Sequence, residues 1–464
     1  MTVIPIEELT LRQRTAVAVD EPRLRISLER ATDTLSSRQS TAYGQFADPE
    51  RLRSAARAAK AQVLSRLPDV LEQLADRLEA SGVVVHWAST DREACDVVTT
   101  IAMERGVRRV VKSKSMLTEE IGLNQALDGI GVEVTETDLG EWIIQLAGET
   151  PSHIIVPAIH RDRAQCRDAL QTVSDEPLGD APEDLAAFAR VTLRSRFLAA
   201  DMGISGVNFA VAESGSLILV TNEGNGRLTT SVPPIHVAML GMERVLESWD
   251  QLDLFLALLT RAATGQPITT YVSAITGPAR AEEGEGPEEV HVVIVDNGRS
   301  EILGTEFTEM LACVRCGACL NACPVYRVTG GHAYGWVYPG PMGAVLTPLL
   351  LESEAAGEVA NASSLCGACW EACPVGIPLQ DMLLALRRRE AEEASLAERT
   401  AWRVWATAWS RPSTYRASLR TGAIATGMFD PSSLRGPARR WSDGREMPKL
   451  PKRSFRQQWK ESRQ

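Results

Sequence analysis

Apolar residues return every three or four positions in the segment 51–79, at Val63, Leu64, Leu67, Val70, Leu71 and Leu74, among Arg, Ala, Leu and Glu. That period is the signature of an amphipathic helix, and residues 1–75 as a whole read as helical. Beyond about residue 80 the period changes. Short apolar runs at 83–87, 109–112, 132–135, 153–157, 216–221 and 290–296 have strand length, and helical stretches such as 91–105 and 250–260 separate them. Alternation of this kind predicts an α/β domain with a largely parallel sheet. After residue 300 the pattern is helical again. An apolar run occupies 345–351, and 378–393 reads as a helix entered through Pro378 with Leu379, Met382, Leu383 and Leu386 on one face. Trp402, Trp405 and Trp409 follow at helical spacing and predict a stripe packed into a core.

The chain has 464 residues, more than one hydrophobic core usually organises, so two or three domains are expected. Its net charge of −11 argues against general nucleic-acid binding. The charge is uneven. From Arg435 onward ten Lys and Arg face three Asp and Glu, which predicts a solvated tail or a docking segment for an acidic partner or the inner membrane face. A glutamate-rich stretch at 281–289 reads as a solvated turn. The start of the chain lacks a basic stretch followed by an apolar one, and no apolar run approaches the roughly 18 residues that span a bilayer. A cytoplasmic location is expected.

Seven of the nine cysteines fall between residues 313 and 373. The first run is Cys313-Val-Arg-Cys316-Gly-Ala-Cys319-Leu-Asn-Ala-Cys323-Pro324, and the second is Cys366-Gly-Ala-Cys369-Trp-Glu-Ala-Cys373-Pro374. The C-x2-C-x2-C-x3-C-P rhythm belongs to proteins that hold two cubane iron–sulfur clusters. Three close thiolates wrap one face of a cluster, small residues let the backbone curl around it, and the fourth cysteine serves the other cluster. Zinc fits poorly, because it takes four ligands from pairs. Crossed pairing assigns Cys313, Cys316, Cys319 and Cys373 to cluster one, and Cys323, Cys366 and Cys369 to cluster two. The second run lacks its leading cysteine, and Ser363 stands at that place. A cubane with a non-cysteine ligand, a three-iron cluster and an open iron all remain compatible; a cubane with one non-cysteine or open site is preferred. Only Cys95 and Cys166 lie elsewhere, so a disulfide framework is not expected.

The α/β segment offers less chemistry. Asn222-Glu-Gly-Asn-Gly226 follows a predicted strand, and its amides are a candidate anion site, but it lacks dinucleotide or P-loop spacing. A conformational turn is the simpler reading. Glu213, His153, His160 and His236 form no metal spacing or triad and read as structural. No flavin or nicotinamide motif is present, and single-electron clusters alone do not take a hydride from an alcohol. No catalytic residue is assigned.

Several further motifs resemble those of the lactate utilization protein B family. They are Lys112-Ser-Lys-Ser-Met-Leu-Thr-Glu-Glu120 with Asn124, Glu136-Thr-Asp-Leu-Gly-Glu141, and Pro151-Ser-His-Ile-Ile-Val-Pro-Ala-Ile-His160. Ala212-Glu-Ser-Gly215, Thr221-Asn-Glu-Gly-Asn-Gly226, Asp296-Asn-Gly-Arg299 and Gly335-Trp-Val-Tyr-Pro-Gly340 follow in the same order. The resemblance covers the chain from about residue 20 to the tail. It implies an α/β lactate-utilization domain, similar to the sugar-phosphate isomerase and CoA transferase-like fold, plus a mainly α-helical two-cluster ferredoxin domain. The resulting division is a helical segment at 1–75, the α/β domain at 76–300, the ferredoxin-type domain at 301–395, and a helical segment with a basic tail at 396–464. The implied activity is electron transfer by two [4Fe-4S] clusters, with two sister subunits, in oxidation of L-lactate to pyruvate. Electrons would pass to an acceptor, with a membrane-associated one among the candidates. The competing expectation is a free-standing oxidoreductase that binds a small hydroxy or amino acid in the α/β domain.

Overall fold

The computed structural model of the chain describes residues 4–280, 282, 284–351, 353–428, 451, 453 and 455–463. Most of the basic tail, and part of the glutamate-rich stretch, lie outside the described residues. Packing divides the chain into residues 1–387 and residues 388–464. Among the described residues, no helix is long and apolar enough to cross a membrane.

Four helices come first: Leu11–Val19, Pro22–Tyr43, Pro49–Ser65 and Leu67–Ala80. The single helical pattern at 51–79 is broken at Arg66. Pro68 has no amide hydrogen to give the preceding helix and clashes with the carbonyl four residues back, so a new helix starts with the proline in its first turn.

The α/β part carries ten strands: β1 (Val84–Ala88), β2 (Arg109–Lys112), β3 (Glu133–Glu136), β4 (Met202–Gly206), β5 (Phe209–Val211), β6 (Ser216–Thr221), β7 (Ile235–Gly241), β8 (Val245–Leu246), β9 (Tyr271–Ile275) and β10 (Glu289–Val295). Six form a sheet in the order β1-β10-β7-β4-β2-β3, and every pair in it is parallel. The strand order reverses beside β2: β3 lies on one side of it and β4 on the other. A crevice therefore opens at the carboxyl ends of β2 and β4, the position where open α/β sheets bind ligands. The other four strands form a second sheet, β8-β5-β6-β9.

Two strand expectations change. Residues 153–157 are not a strand, because the His153 ring turns back on its own chain. Its Nδ1 accepts from the Ile155 and Val156 amides at 3.0 and 3.1 Å, which closes a turn where an extended run was expected. Conversely, β4, β5, β7, β8 and β9 are absent from the expected strands. Every residue of β7 is buried, so it shows no alternation; a short apolar run between Pro233-Pro234 and Gly241 was the available signal. Gly203 on β4 is required by close approach, since a Cβ there would stand 1.9 Å from the Thr229 carbonyl oxygen.

One apolar core joins the N-terminal helices, the second sheet and the cysteine-rich segment through Leu28, Leu67, Phe209, Phe255, Phe307 and Leu346. The helix Leu379–Glu393 adds its expected face, with Leu379, Met382, Leu383 and Leu386 buried. Another core, with Val98, Met202, Val237 and Val293, lines the large sheet.

In residues 388–464 the tryptophan stripe is not a core. Trp402, Trp405 and Trp409 lie on the helix Leu396–Ser410 and are 61%, 48% and 44% exposed. Helical spacing does align the rings, which pack on each other at centroid distances of 5.7 and 5.0 Å, and Trp409 meets Tyr415 at 5.2 Å. Ring-on-ring contact is the burial they obtain.

Candidate functional site

The two cysteine runs fold alike. Arg315 and Leu365, each just before the second position of its run, take left-handed φ values of 56° and 55°, and Gly317 and Gly367 follow at 75° and 85°. A left-handed arginine and leucine are strained, and matched strain in two loops marks a shared local demand. Each loop then enters a short helix, Ala318–Ala322 in the first run and Ala368–Glu371 in the second. The Arg315 amide donates to Cys313 Sγ at 3.5 Å, and the Leu365 amide donates to Ser363 Oγ at 3.1 Å. Ser363 thus occupies in the second loop the place that Cys313 occupies in the first.

The fold brings the cysteines together across the runs. Cys313, Cys316, Cys319 and Cys373 line one small cavity, with Ile154, Met342 and Ile377 closing its walls. The Ile377 amide donates to Cys373 Sγ at 3.5 Å. Burial, then the neighbouring Cys373 and Cys313 thiols, pushes Cys316 upward. Cys323, Cys366 and Cys369 form the other neighbourhood: burial, then Cys323 and Cys366, pushes Cys369 up to about 12. Cys366 alone is exposed, and hydrogen bonds from Ser364 and the Ala368 amide hold its thiol below the usual range. Among the described residues, no three His, Cys, Asp or Glu side chains converge as ligands of a single metal ion would. A cubane makes a different demand, because each thiolate binds a different iron. Four thiols around one apolar cavity, with backbone amides aimed at sulfur, fit an iron–sulfur cluster.

Charged residues that sequence reasoning did not single out surround the first group. Arg244 Nη1 donates to the Cys313 carbonyl at 3.2 Å. Arg315 stacks over the Tyr338 ring at 4.8 Å and stands 3.5 Å from Glu243. Arg299 bridges Glu120 and Glu243 at 2.7 and 2.8 Å, with all three side chains buried. Burial alone would raise the Glu243 carboxyl, yet Arg299, Arg315 and Arg244 hold it at about 2. Glu120, Arg299, Arg315 and Tyr338 lie within motifs noted in the sequence, without a role assigned to them there; Glu243 and Arg244, just after β7, lie in none.

The α/β loop 151–160 is seated on the cysteine-rich segment. With Nδ1 of His153 accepting, its Nε2–H donates to Asn321 Oδ1 at 3.2 Å, between Cys319 and Cys323. Tyr326 Oη donates to the Ser152 carbonyl at 2.8 Å, and a Cβ on Gly331 would stand 2.0 Å from that carbonyl oxygen. The N-terminal helices add further contacts. Gln39 donates to the Ala372 carbonyl, and Arg53 lies over the Trp370 ring at 4.5 Å.

The remaining candidates have structural partners. Glu213 accepts from the Trp249 amide, His236 Nε2 meets Ser205 Oγ at 2.8 Å, and His160 meets Glu149 at 2.9 Å. Asn222, Glu223 and Asn225 line a cavity at the sheet crevice, but Glu223 is engaged as acceptor for the Leu139 amide and Gly224 makes the left-handed turn.

Comparison with known proteins places these segments. Family models match as LUD domain over residues 71–295, 4Fe-4S dicluster domain over 309–377, and lactate utilisation protein B, C-terminal, over 384–464. The chain is 43% identical to a lactate utilization protein B of Shouchella clausii, over 99% of this chain and 98% of that one. It is 42% identical to the protein of that name from Oceanobacillus iheyensis, over 99% and 97%. A crystal structure of a DUF162 family protein from Deinococcus radiodurans aligns at 14% identity and a TM-score of 0.28, over 49% of this chain and 98% of that one, too low a likeness to carry an argument.

Proposed function

The chain belongs to the lactate utilization protein B family, and from that premise we propose that it is the iron–sulfur electron-transfer subunit of a multiprotein system oxidising L-lactate to pyruvate in the cytoplasm. The family name and the 4Fe-4S dicluster match support a role in lactate utilisation through iron–sulfur electron transfer. The observation that carries the finer reading is the crossed grouping of seven cysteines in two neighbouring sites. Cys313, Cys316, Cys319 and Cys373 would hold one cluster, and Cys323, Cys366 and Cys369 the other. Bound clusters supply one-electron transfer. Oxidation of lactate releases two electrons and two protons, so a sister subunit has to divide the pair. The chain's own residues bury the four-cysteine site under the α/β loop, whereas the three-cysteine site reaches the surface at Cys366, where a partner can approach.

Anaerobic visible absorbance tests the division of labour. The purified chain alone is expected to keep its cluster absorbance when L-lactate is added, and to bleach once the two sister proteins are present. Bleaching by lactate without them would overturn the carrier reading and place the substrate oxidation in this chain.

The Ser363 position is open to a separate test. Because the loop around it repeats that of Cys313, Ser363→Cys is expected to complete a set of four thiolates and alter the paramagnetic spectrum of the reduced second cluster, with iron content unchanged. Ser363→Ala then separates serine ligation from an open iron: a shifted or lost signal assigns the ligand to serine. If neither substitution moves the spectrum, position 363 does not face the cluster.

A further inference from the structure

The crevice at the carboxyl ends of β2, β4 and β7 lies directly against the first cysteine run. It holds two cavities, of about 110 and 260 Å³, that share Lys114, Ile155, Gly206, Asn208 and Arg315 in their walls. The smaller has roughly the share of three or four waters, and so has room for an acid of a few carbons. The walls are polar and charged at the strand ends, where the reversal of strand order leaves the sheet uncovered.

Charge decides what such a crevice would take. Lys114, Arg244, Arg299 and Arg315 supply the cations, and Asp138, Glu223 and Glu243, with Glu120 behind Arg299, the carboxylates, so the charges balance. The cations are not equally engaged. Arg299 is committed to Glu120 and Glu243. Arg315 is 92% buried, yet its Nη1 has no hydrogen-bond partner among the described residues. An unpaired guanidinium nitrogen in a buried wall is costly, and a planar carboxylate is the group its fork matches. Lys114 donates to the Ile155 carbonyl at 2.8 Å and stands 3.6 Å from Asp138, which leaves donor capacity on its ammonium. A dianion such as phosphate would bring two negative charges to four carboxylates with no surplus cation to offset them, whereas a monocarboxylate brings one.

We propose that this crevice is a binding site for a small monocarboxylate, held between Arg315 and Lys114 beside the four-cysteine site. The inference goes beyond the electron-carrier reading, and it gives the α/β domain a task of its own. Arg315 lies between Cys313 and Cys316 in the chain, so a carboxylate on it brings a negative charge next to the cluster ligands. Binding and cluster oxidation state are then linked, each altering the other by the same factor.

Titration calorimetry on the anaerobically purified, cluster-loaded full chain tests the site, with L-lactate, pyruvate and acetate as probes and inorganic phosphate as the competitor of different charge. One monocarboxylate per chain is expected to bind saturably, at least tenfold tighter than phosphate. Lys114→Gln should weaken binding tenfold or more, and Lys114→Arg should restore most of it. Asn208→Asp guards against a folding artefact. It keeps the side-chain oxygen that accepts from the Val220 amide at 2.8 Å but adds a negative charge to the wall that both cavities share, and it should abolish binding with iron content unchanged. No saturable binding by any monocarboxylate, phosphate binding as tightly, or full affinity in Asn208→Asp would overturn the proposal. The calorimetry needs no sister protein and reads no electron flow, so its failure leaves the lactate-bleaching test standing on its own.

Discussion

Arg299→Met is expected to destabilise residues 1–387 by about 3–5 kcal/mol at pH 8, because it strands buried carboxylates whose desolvation the guanidinium offsets. Arg299 gives both Nη atoms to Glu120, at 2.8 and 2.7 Å, and Nε to Glu243 at 2.8 Å. Glu243 keeps Arg315 and Arg244 in the variant; Glu120 loses its only guanidinium among the described residues. Burial by itself raises the Glu120 carboxyl, and it is Arg299, helped by Tyr338 and Asn297, that holds it below the ordinary range. A depressed carboxyl contributes stability above its unfolded value and loses that contribution as pH falls. In the variant the sign reverses. Glu120 titrates above its unfolded value, so the variant gains stability relative to wild type on acidification. Thermal unfolding followed by circular dichroism should therefore show a deficit that is large at pH 8 and smaller at pH 5. Glu120→Gln in the Arg299→Met background should recover part of it, since a neutral amide removes the stranded charge. A deficit that is independent of pH, or one that Glu120→Gln deepens, would mean that packing rather than charge dominates at this site.

Cys373→Ser is expected to remove the cluster of the first run, although Cys373 belongs to the second. It lines the cavity shared by Cys313, Cys316 and Cys319. Iron and acid-labile sulfide should fall from about eight per chain to about four. The decisive comparison is spectroscopic. After reduction, Cys373→Ser and Cys313→Ser should leave the same residual paramagnetic signal, and Cys366→Ser should leave the complementary one. If Cys373→Ser instead matches Cys366→Ser, each run keeps its own cluster and the crossed assignment fails.

Local signals were legible wherever a residue's role is set by its neighbours in the chain. Cysteine spacing announced iron–sulfur chemistry, because a loop that wraps a cluster must place its thiolates at fixed offsets. Period-3.6 apolar residues located the helix Leu379–Glu393, and apolar runs bounded by turns located β1, β2, β3, β6 and β10. The same reasoning failed where a local pattern has two tertiary outcomes. The apolar run at 153–157 became a turn because one imidazole found two backbone amides. Alternation was absent from β7 because both of its faces are covered. The aligned tryptophans at 402, 405 and 409 stayed exposed, since periodicity orders a face without supplying a surface to cover it.

Sequence by itself thus determined the chemistry of the cysteine runs, the α/β character of the middle of the chain and the serine at the leading place of the second loop. Only the tertiary structure decided which cysteines share a cavity, that the loop around His153 is seated on them, and that Arg244, Arg299 and Arg315 converge on Glu243 at the mouth of a crevice. The reason is physical. Thiolate spacing and helical period are properties of a short stretch of backbone, whereas burial, ion pairing and a binding crevice are created when strand ends far apart in the chain are brought to one edge of a sheet.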